Sequence, residues 1–184
     1  MSAGARAMPS AAPGRPRRLL FVCTGNICRS PTAEAVMRKL VAGAGLQGRI
    51  DVDSAGTHNY HVGEPPDERS QLFAARRGYD LSALRARQLE PADFRRFDML
   101  LAMDEEHLRF MRRMCPSGYE ARLRRLMEFA RRHASKDVPD PYYRGDAAFE
   151  LVLDYVEDAC SVLLDELRRR WMPAEGNESA QNTG

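Results

Sequence analysis

At 184 residues the chain is roughly 1.2 domain-lengths, and 43% hydrophobic with 8% aromatic residues suffices for a packed core, which excludes a wholly disordered or collagen-like chain. No apolar run of about 18 residues occurs, nor one of about 7–15 behind the N-terminus, so neither a membrane span nor a secretory signal is expected. The formal net charge of +2 arises at the ends, four Arg in residues 1–18 and two Glu in residues 173–184, which leaves the middle neutral and argues against a nucleic-acid partner.

Residues 1–17, rich in Ala, Gly, Pro, Ser and Arg, are expected to be a disordered leader, 18–172 a single domain, and 173–184 a disordered polar tail. Leu19-Leu20-Phe21-Val22 reads as a strand buried on both faces. Ser30-Pro31 then offers an N-cap and an N1 proline, with Ala33, Val36, Met37, Leu40 and Val41 at helical spacing and Gly43 as the stop. Ile50 and Val52 alternate in a second strand. A loop through Gly56, Gly63, Pro65 and Pro66 leads to a helix over Asp67–Arg77, closed by Gly78. Phe97–Ala102 is a third strand, followed by a helix from Asp104 to Met114, and Arg122–Met127 is a fourth strand. Arg109 to Arg132 holds eight Arg against Glu120 and Glu128, a solvated surface or a patch that steers anions. The last helix carries Phe149, Val152, Leu153, Val156, Cys160, Leu163, Leu164, Leu167 and Trp171 on one stripe, with Asp146 placed to cap it. Four cysteines, Cys23, Cys28, Cys115 and Cys160, with no C-x-x-C, suit a reducing cytoplasm rather than a disulfide framework.

Alternation of this kind predicts an α/β domain, a four-stranded parallel sheet with helices on both faces. Ligands of such sheets sit at the carboxyl ends of strands, so the turn after Val22 is the first place to look. It reads Cys23-Thr24-Gly25-Asn26-Ile27-Cys28-Arg29-Ser30-Pro31, a C-x5-R loop between a strand and a helix start. Such a loop turns successive N–H groups inward as a nest for a tetrahedral oxyanion, and the helix end adds positive charge. Gly25 removes a Cβ from the crowded side, and Asn26 tolerates a left-handed turn. Arg29 offers a planar fork to two phosphate oxygens. Cys23 in that nest is expected to be a thiolate at neutral pH. The Ser30 hydroxyl has two competing uses, stabilising that thiolate or capping the helix.

These residues resemble the signature loop of the low-molecular-weight protein tyrosine phosphatases. The similarity runs on through Thr32–Leu40, Asp53–Thr57, Val62-Gly63 with Pro66-Asp67, Ala86–Leu89, Phe97-Asp98 with Met103-Asp104, and Asp140–Tyr143. The resemblance implies hydrolysis of phosphotyrosine through a cysteinyl-phosphate intermediate, with Cys23 as nucleophile. It implies phosphate binding by Arg29 and by Thr24, Gly25, Asn26, Ile27, Cys28 and Ser30. Substrates would be phosphotyrosine proteins and the product inorganic phosphate, with no cofactor, metal or membrane insertion.

The mechanism needs an acid for the leaving oxygen. Pro139-Asp140-Pro141-Tyr142-Tyr143 is the best candidate; composition alone also allows an Asp-Pro turn, and the resemblance assigns Asp140 as the acid. Tyr60, by the same resemblance, walls the pocket with Tyr142 and Tyr143, the alternative being a packed loop residue. Cys28 is either a redox partner for Cys23, as the family implies, or a small apolar filler. His58 and His61 are spaced like loose metal ligands but lack a third ligand type nearby. Asp80–Arg85 lacks a His that some family members pair with the acid matching Glu34, so the support of Asn26 through Ser54 is expected to be wired differently, with Glu34 free. An arsenate reductase of the same fold would need two further cysteines together after the third strand, where Cys115 stands alone. A non-catalytic phosphopeptide-binding module would need the nucleophile or acid to be missing.

Overall fold

The computed structural model describes residues 15–172. Residues 1–14 and 173–184, most of the expected leader and all of the expected tail, lie outside the described residues. The elements are β1 (Arg17–Cys23), α1 (Arg29–Gly43), β2 (Ile50–Gly56), α2 (Glu68–Arg76), α3 (Asp93–Arg96), β3 (Met99–Ala102), α4 (Glu105–Met114), β4 (Leu123–Arg125) and α5 (Asp146–Trp171). Short 3-10 turns occupy Glu120–Arg122 and Leu126–Glu128.

The strands form one four-stranded sheet in the order β2-β1-β3-β4, every pairing parallel. Side chains of a strand alternate between faces, and β1 shows the result. Leu19, Phe21 and Cys23 join a core with residues of α1, α2 and α5, while Leu20 and Val22 join a second core with Phe94 of α3 and Leu108 and Met111 of α4. Helices therefore cover both faces, which is why β1 and β3 read as unbroken apolar runs. β1 has β2 on one side and β3 on the other, so the chain leaves its carboxyl end at a topological switch point.

Several local expectations are corrected. Ser30 does not cap α1; the N-cap is Cys28, with no side-chain capping bond. Gly43 is still helical, Ala44 is the C-cap, and the left-handed turn falls on Gly45 at φ 69°. Asp146 is the first helical residue of α5 and Gly145 its N-cap, so the carboxylate meets the helix dipole rather than closing a cap. Phe97 and Asp98 precede β3. Asp98 is buried, its amide donating to Arg18 O and its carboxylate accepting from Arg18 N (2.9 Å each). Arg15 lies 2.5 Å from the same carboxylate, and β1 starts at Arg17, one residue before the expected domain boundary. The fourth strand shrinks to Leu123–Arg125, where Leu126 turns into a 3-10 segment closed by the Glu128 carboxylate on Arg125 N (3.0 Å).

Candidate active site

Cys23 ends β1 and Arg29 begins α1, so the C-x5-R segment is the whole connection between them. The absence of a capping side chain leaves the first amides of α1 for another acceptor, the condition for an anion at a helix N-terminus. Asn26 has φ 57° and is the one non-glycine with positive φ among the described residues. Its side chain fixes that turn. Nδ2 donates to Ser30 Oγ (2.8 Å) and Ser54 Oγ (2.9 Å), and Oδ1 accepts from Arg87 N (3.0 Å). Gly56, at the end of β2, is required for a different reason. A Cβ there would sit 2.7 Å from Thr24 O and 3.1 Å from Gly25 C, both backbone, so only glycine lets β2 abut the loop. The crowding at Gly25 is milder, since its close neighbour is the His61 ring.

Glu34 is not free. It is buried, accepts from Ser54 Oγ at 2.6 Å and pairs with Arg38 at 2.5 Å. Burial raises its carboxyl pKa, against the pull of Ser54 and Arg38. Arg38, one helical turn further along α1, thus supplies the partner missing from Asp80–Arg85, and it also donates to Val52 O at 2.9 Å.

Cys23 Sγ lies 2.9 Å from Ser30 Oγ, and both residues are buried. Asn26 already donates to that oxygen, so the Ser30 proton is free to point at sulfur, its other acceptor, Ala55 O, being 3.5 Å away. The hydroxyl therefore contacts Asn26 and the sulfur and makes no cap on α1. Arg29 is 4% exposed; its Nη1 donates to Asp104 Oδ2 (2.8 Å) and Val138 O (3.1 Å), and Nη2 is 3.6 Å from Asp140 Oδ2.

Asp140 reaches this place because the segment leading to it is pinned twice. Asp158 of α5, buried, accepts from the amides of Arg131, Arg132 and His133 at 2.9–3.2 Å and lies 2.9 Å from His133 Nδ1. Val138 N donates to Met103 O at 2.8 Å beyond the end of β3. Asp140 Oδ1 then accepts from Tyr142 N at 3.1 Å.

A cavity of about 400 Å³ is lined by Cys23, Thr24, Gly25, Ile27, Cys28, Arg29, Tyr60, His61, Asp140, Tyr142 and Tyr143. Asn26 and Ser30 stand behind the loop and shape it. Tyr60 stacks on His58 at 5.0 Å, and Tyr143 packs edge-on against Tyr142 at 4.8 Å. His61 Nδ1 is 2.7 Å from Glu64, and among the described residues no group of His, Cys, Asp or Glu is arranged to hold a metal ion. Burial pushes the Cys28 thiol up to about 12, with nearby Asp67 adding to the rise and Ser70 opposing it. Sequence reasoning missed Asp104 and His107, which back the arginine from outside the cavity. The available signal was an Asp at a strand end followed three residues later by a His.

Fold and site together define a parallel α/β protein with an oxyanion loop bounded by a cysteine and an arginine. The sequence profile described as low molecular weight phosphotyrosine protein phosphatase matches residues 18–172. A low molecular weight protein-tyrosine-phosphatase of Streptomyces coelicolor is 46% identical over 156 residues, 83% of this chain and 94% of its own. One from Bacillus subtilis is 40% identical over 151 residues, 82% of this chain and 96% of its own. The crystal structure of a protein tyrosine phosphatase from Entamoeba histolytica, with Hepes in its active site, superposes with a TM-score of 0.81 at 39% identity, covering 83% of this chain and 97% of that one. The chain belongs to the low molecular weight phosphotyrosine protein phosphatase family.

Proposed function

We propose that the protein hydrolyses phosphotyrosine in protein substrates in two steps through a cysteinyl-phosphate. The observation that carries this reading is that Cys23, Arg29 and Asp140 line one cavity, with Arg29 Nη2 3.6 Å from the Asp140 carboxylate. The loop amides and the Arg29 fork hold the three non-bridging oxygens and take up the charge that grows on them. Cys23 Sγ, as thiolate, attacks phosphorus; the P–O bond to the phenol breaks as Asp140 gives its proton to the leaving oxygen. The Ser30 hydroxyl steadies the thiolate before attack. Water then attacks phosphorus, the S–P bond breaks, and the Asp140 carboxylate takes the water's proton, releasing inorganic phosphate and the starting enzyme.

The tyrosine walls explain the substrate preference in this reading. Tyr60 and Tyr142 flank an aromatic ring, whereas a phosphoserine is too short to reach the loop. Arsenate reduction finds no support, since Cys115 is absent from the cavity lining and Cys160 is fully buried on α5. No helix among the described residues is long and apolar enough to cross a membrane. All four cysteines are free, which suits work in a reducing compartment such as the cytoplasm.

The test is Cys23→Ser measured on a phosphotyrosine peptide together with inorganic phosphate binding. Turnover is expected to vanish while phosphate still binds, because the amides and Arg29 remain. Retention of more than about a tenth of wild-type turnover would remove Cys23 from the nucleophile's role.

A further inference from the structure

Behind the cavity wall, His107 and Asp104 link Thr24 and Arg29, near the two ends of the anion loop. Thr24, the residue after the cysteine, has Oγ1 2.8 Å from His107 Nε2. His107 Nδ1 lies 3.0 Å from Asp104 Oδ1, off the line of an in-line hydrogen bond, and Asp104 Oδ2 accepts from Arg29 Nη1 at 2.8 Å. His107 is 3% exposed and comes from α4, which contributes no residue to the cavity wall. We propose that His107 is a positioning residue, which fixes Thr24 directly and Arg29 through Asp104, and so sets both ends of the phosphate cradle in one geometry.

The proton assignment follows from the partners. Burial favours a neutral Asp104, yet its contacts with His107 and the charge of Arg29 outweigh that and hold the carboxyl well below the usual range. It is therefore a carboxylate that only accepts, and the ring nitrogen facing it, Nδ1, carries the hydrogen. In the neutral ring Nε2 accepts from the Thr24 hydroxyl, and in the protonated ring it donates to Thr24 Oγ1, so the 2.8 Å contact ties Thr24 to His107 in either state. Asp104 Oδ1 also accepts from His107 N at 2.9 Å, capping α4, so the amide holds the oxygen that the ring faces at 3.0 Å. With Oδ1 held, Oδ2 is aimed at Arg29 Nη1, which also donates to Val138 O, and the remainder of the fork is left for phosphate. The Thr24 side chain is meanwhile drawn towards α4, which orients the peptide planes flanking the nucleophile.

Asn and Gln separate the two contacts. An Asn amide at position 107 mimics Nδ1 and keeps Asp104 but cannot reach Thr24; a Gln amide mimics Nε2 and keeps Thr24. The kinetic arm of the test rests on the phosphatase reading, whereas phosphate binding does not. Inorganic phosphate and vanadate affinities are to be measured by calorimetry for Thr24→Val, Thr24→Ser, His107→Asn, His107→Gln and the Thr24→Val/His107→Asn pair, with thermal midpoints alongside. Thr24→Val and His107→Asn are expected each to weaken phosphate by about fivefold and vanadate by more, and the pair to lose no more than either alone. Thr24→Ser, which keeps a hydroxyl for His107, is expected to recover most of the phosphate affinity that Thr24→Val loses, and in Thr24→Val and His107→Asn kcat is expected to fall further than KM changes. Additive losses in the pair, or unchanged phosphate affinity in all variants, would overturn the proposal. If His107→Asn does not fold, Thr24→Val against Thr24→Ser decides by itself. Wild-type protein that binds phosphate without hydrolysing phosphotyrosine would sink the functional reading alone; wild-type protein that binds no phosphate would sink both.

Discussion

Burial pushes the Cys28 thiol up to about 12, while Cys23, five residues earlier, meets the Ser30 hydroxyl at 2.9 Å and the open end of α1. Only a thiolate is a good nucleophile, so the raised Cys28 thiol is a poor one at neutral pH. Iodoacetate at pH 7 is expected to alkylate Cys23 and spare Cys28, with inorganic phosphate protecting; peptide mapping by mass spectrometry reads the site, and modification of Cys28 first would contradict the assignment. The acid is separable by leaving group. Asp140→Asn is expected to slow phosphotyrosine peptide turnover by about 100-fold or more, and p-nitrophenyl phosphate far less, because nitrophenolate departs without a proton. Equal losses on both substrates would mean that Asp140 holds its loop and the acid lies elsewhere. The loop residues were legible because their types are demanded by chemistry that a short segment performs alone. The work of Ser30 stayed open between two uses: Ser-Pro is a sound local helix signal, and the tertiary fold decides by bringing Asn26 and Cys23 to the hydroxyl. His107 was harder still: the Asp104 spacing marks a helix start, but nothing local says that the ring is buried against a loop 83 positions away.

At the scale of elements, β1 and α5 were plain from apolar runs and stripes long enough to show a period. α3 has four residues and β4 three, too short for any period, and β4 carries two arginines, so its place comes from pairing with β3 and from the burial of Leu123. The connection from β4 to α5 has no regular structure over most of its length and yet must deliver Asp140. Asp158 does the holding. Burial alone would raise its carboxyl, but His133 and the three amides outweigh that and depress it. A depressed carboxyl stabilises the fold above its unfolded pKa of about 4 and loses that contribution as pH falls through the lower folded value. Asp158→Asn is therefore expected to cost about 2–4 kcal/mol at pH 7 and progressively less as pH falls below about 4, as read by urea denaturation across that range. A cost independent of pH would show that the charge of Asp158 is not what holds the loop. Phosphatase activity is expected to fall with it, as Asp140 loosens.

For the molecule as a whole, the arginine-rich run from Arg109 to Arg132 is largely matched by acids once the chain folds. Arg109 and Arg125 reach Glu105, Arg125 also reaches Asp137, Arg124 pairs with Glu128, and Arg132 approaches Asp158. The paired surface favours the solvated reading over a steering patch. The outer edge of β2 has been sealed in a similar way. In its register with β1, Ile50, Val52, Ser54 and Gly56 turn their backbone groups away from the sheet. Ile50 N donates to Leu46 O, Val52 O accepts from Arg38, Ser54 N donates to the Asp53 carboxylate, and Gly56 pairs with Arg87 O and Leu89 N. An incoming strand from another molecule would find these hydrogen-bonding positions taken, and the charged side chain of Arg38 lying across the rail. The consequence is resistance to edge-to-edge association, and Arg38→Met should erode it. Light scattering on a concentrated, warmed sample is expected to rise earlier for that variant than for wild type. The guanidinium that neutralises Glu34 behind the anion loop thus also keeps the sheet from recruiting copies of itself.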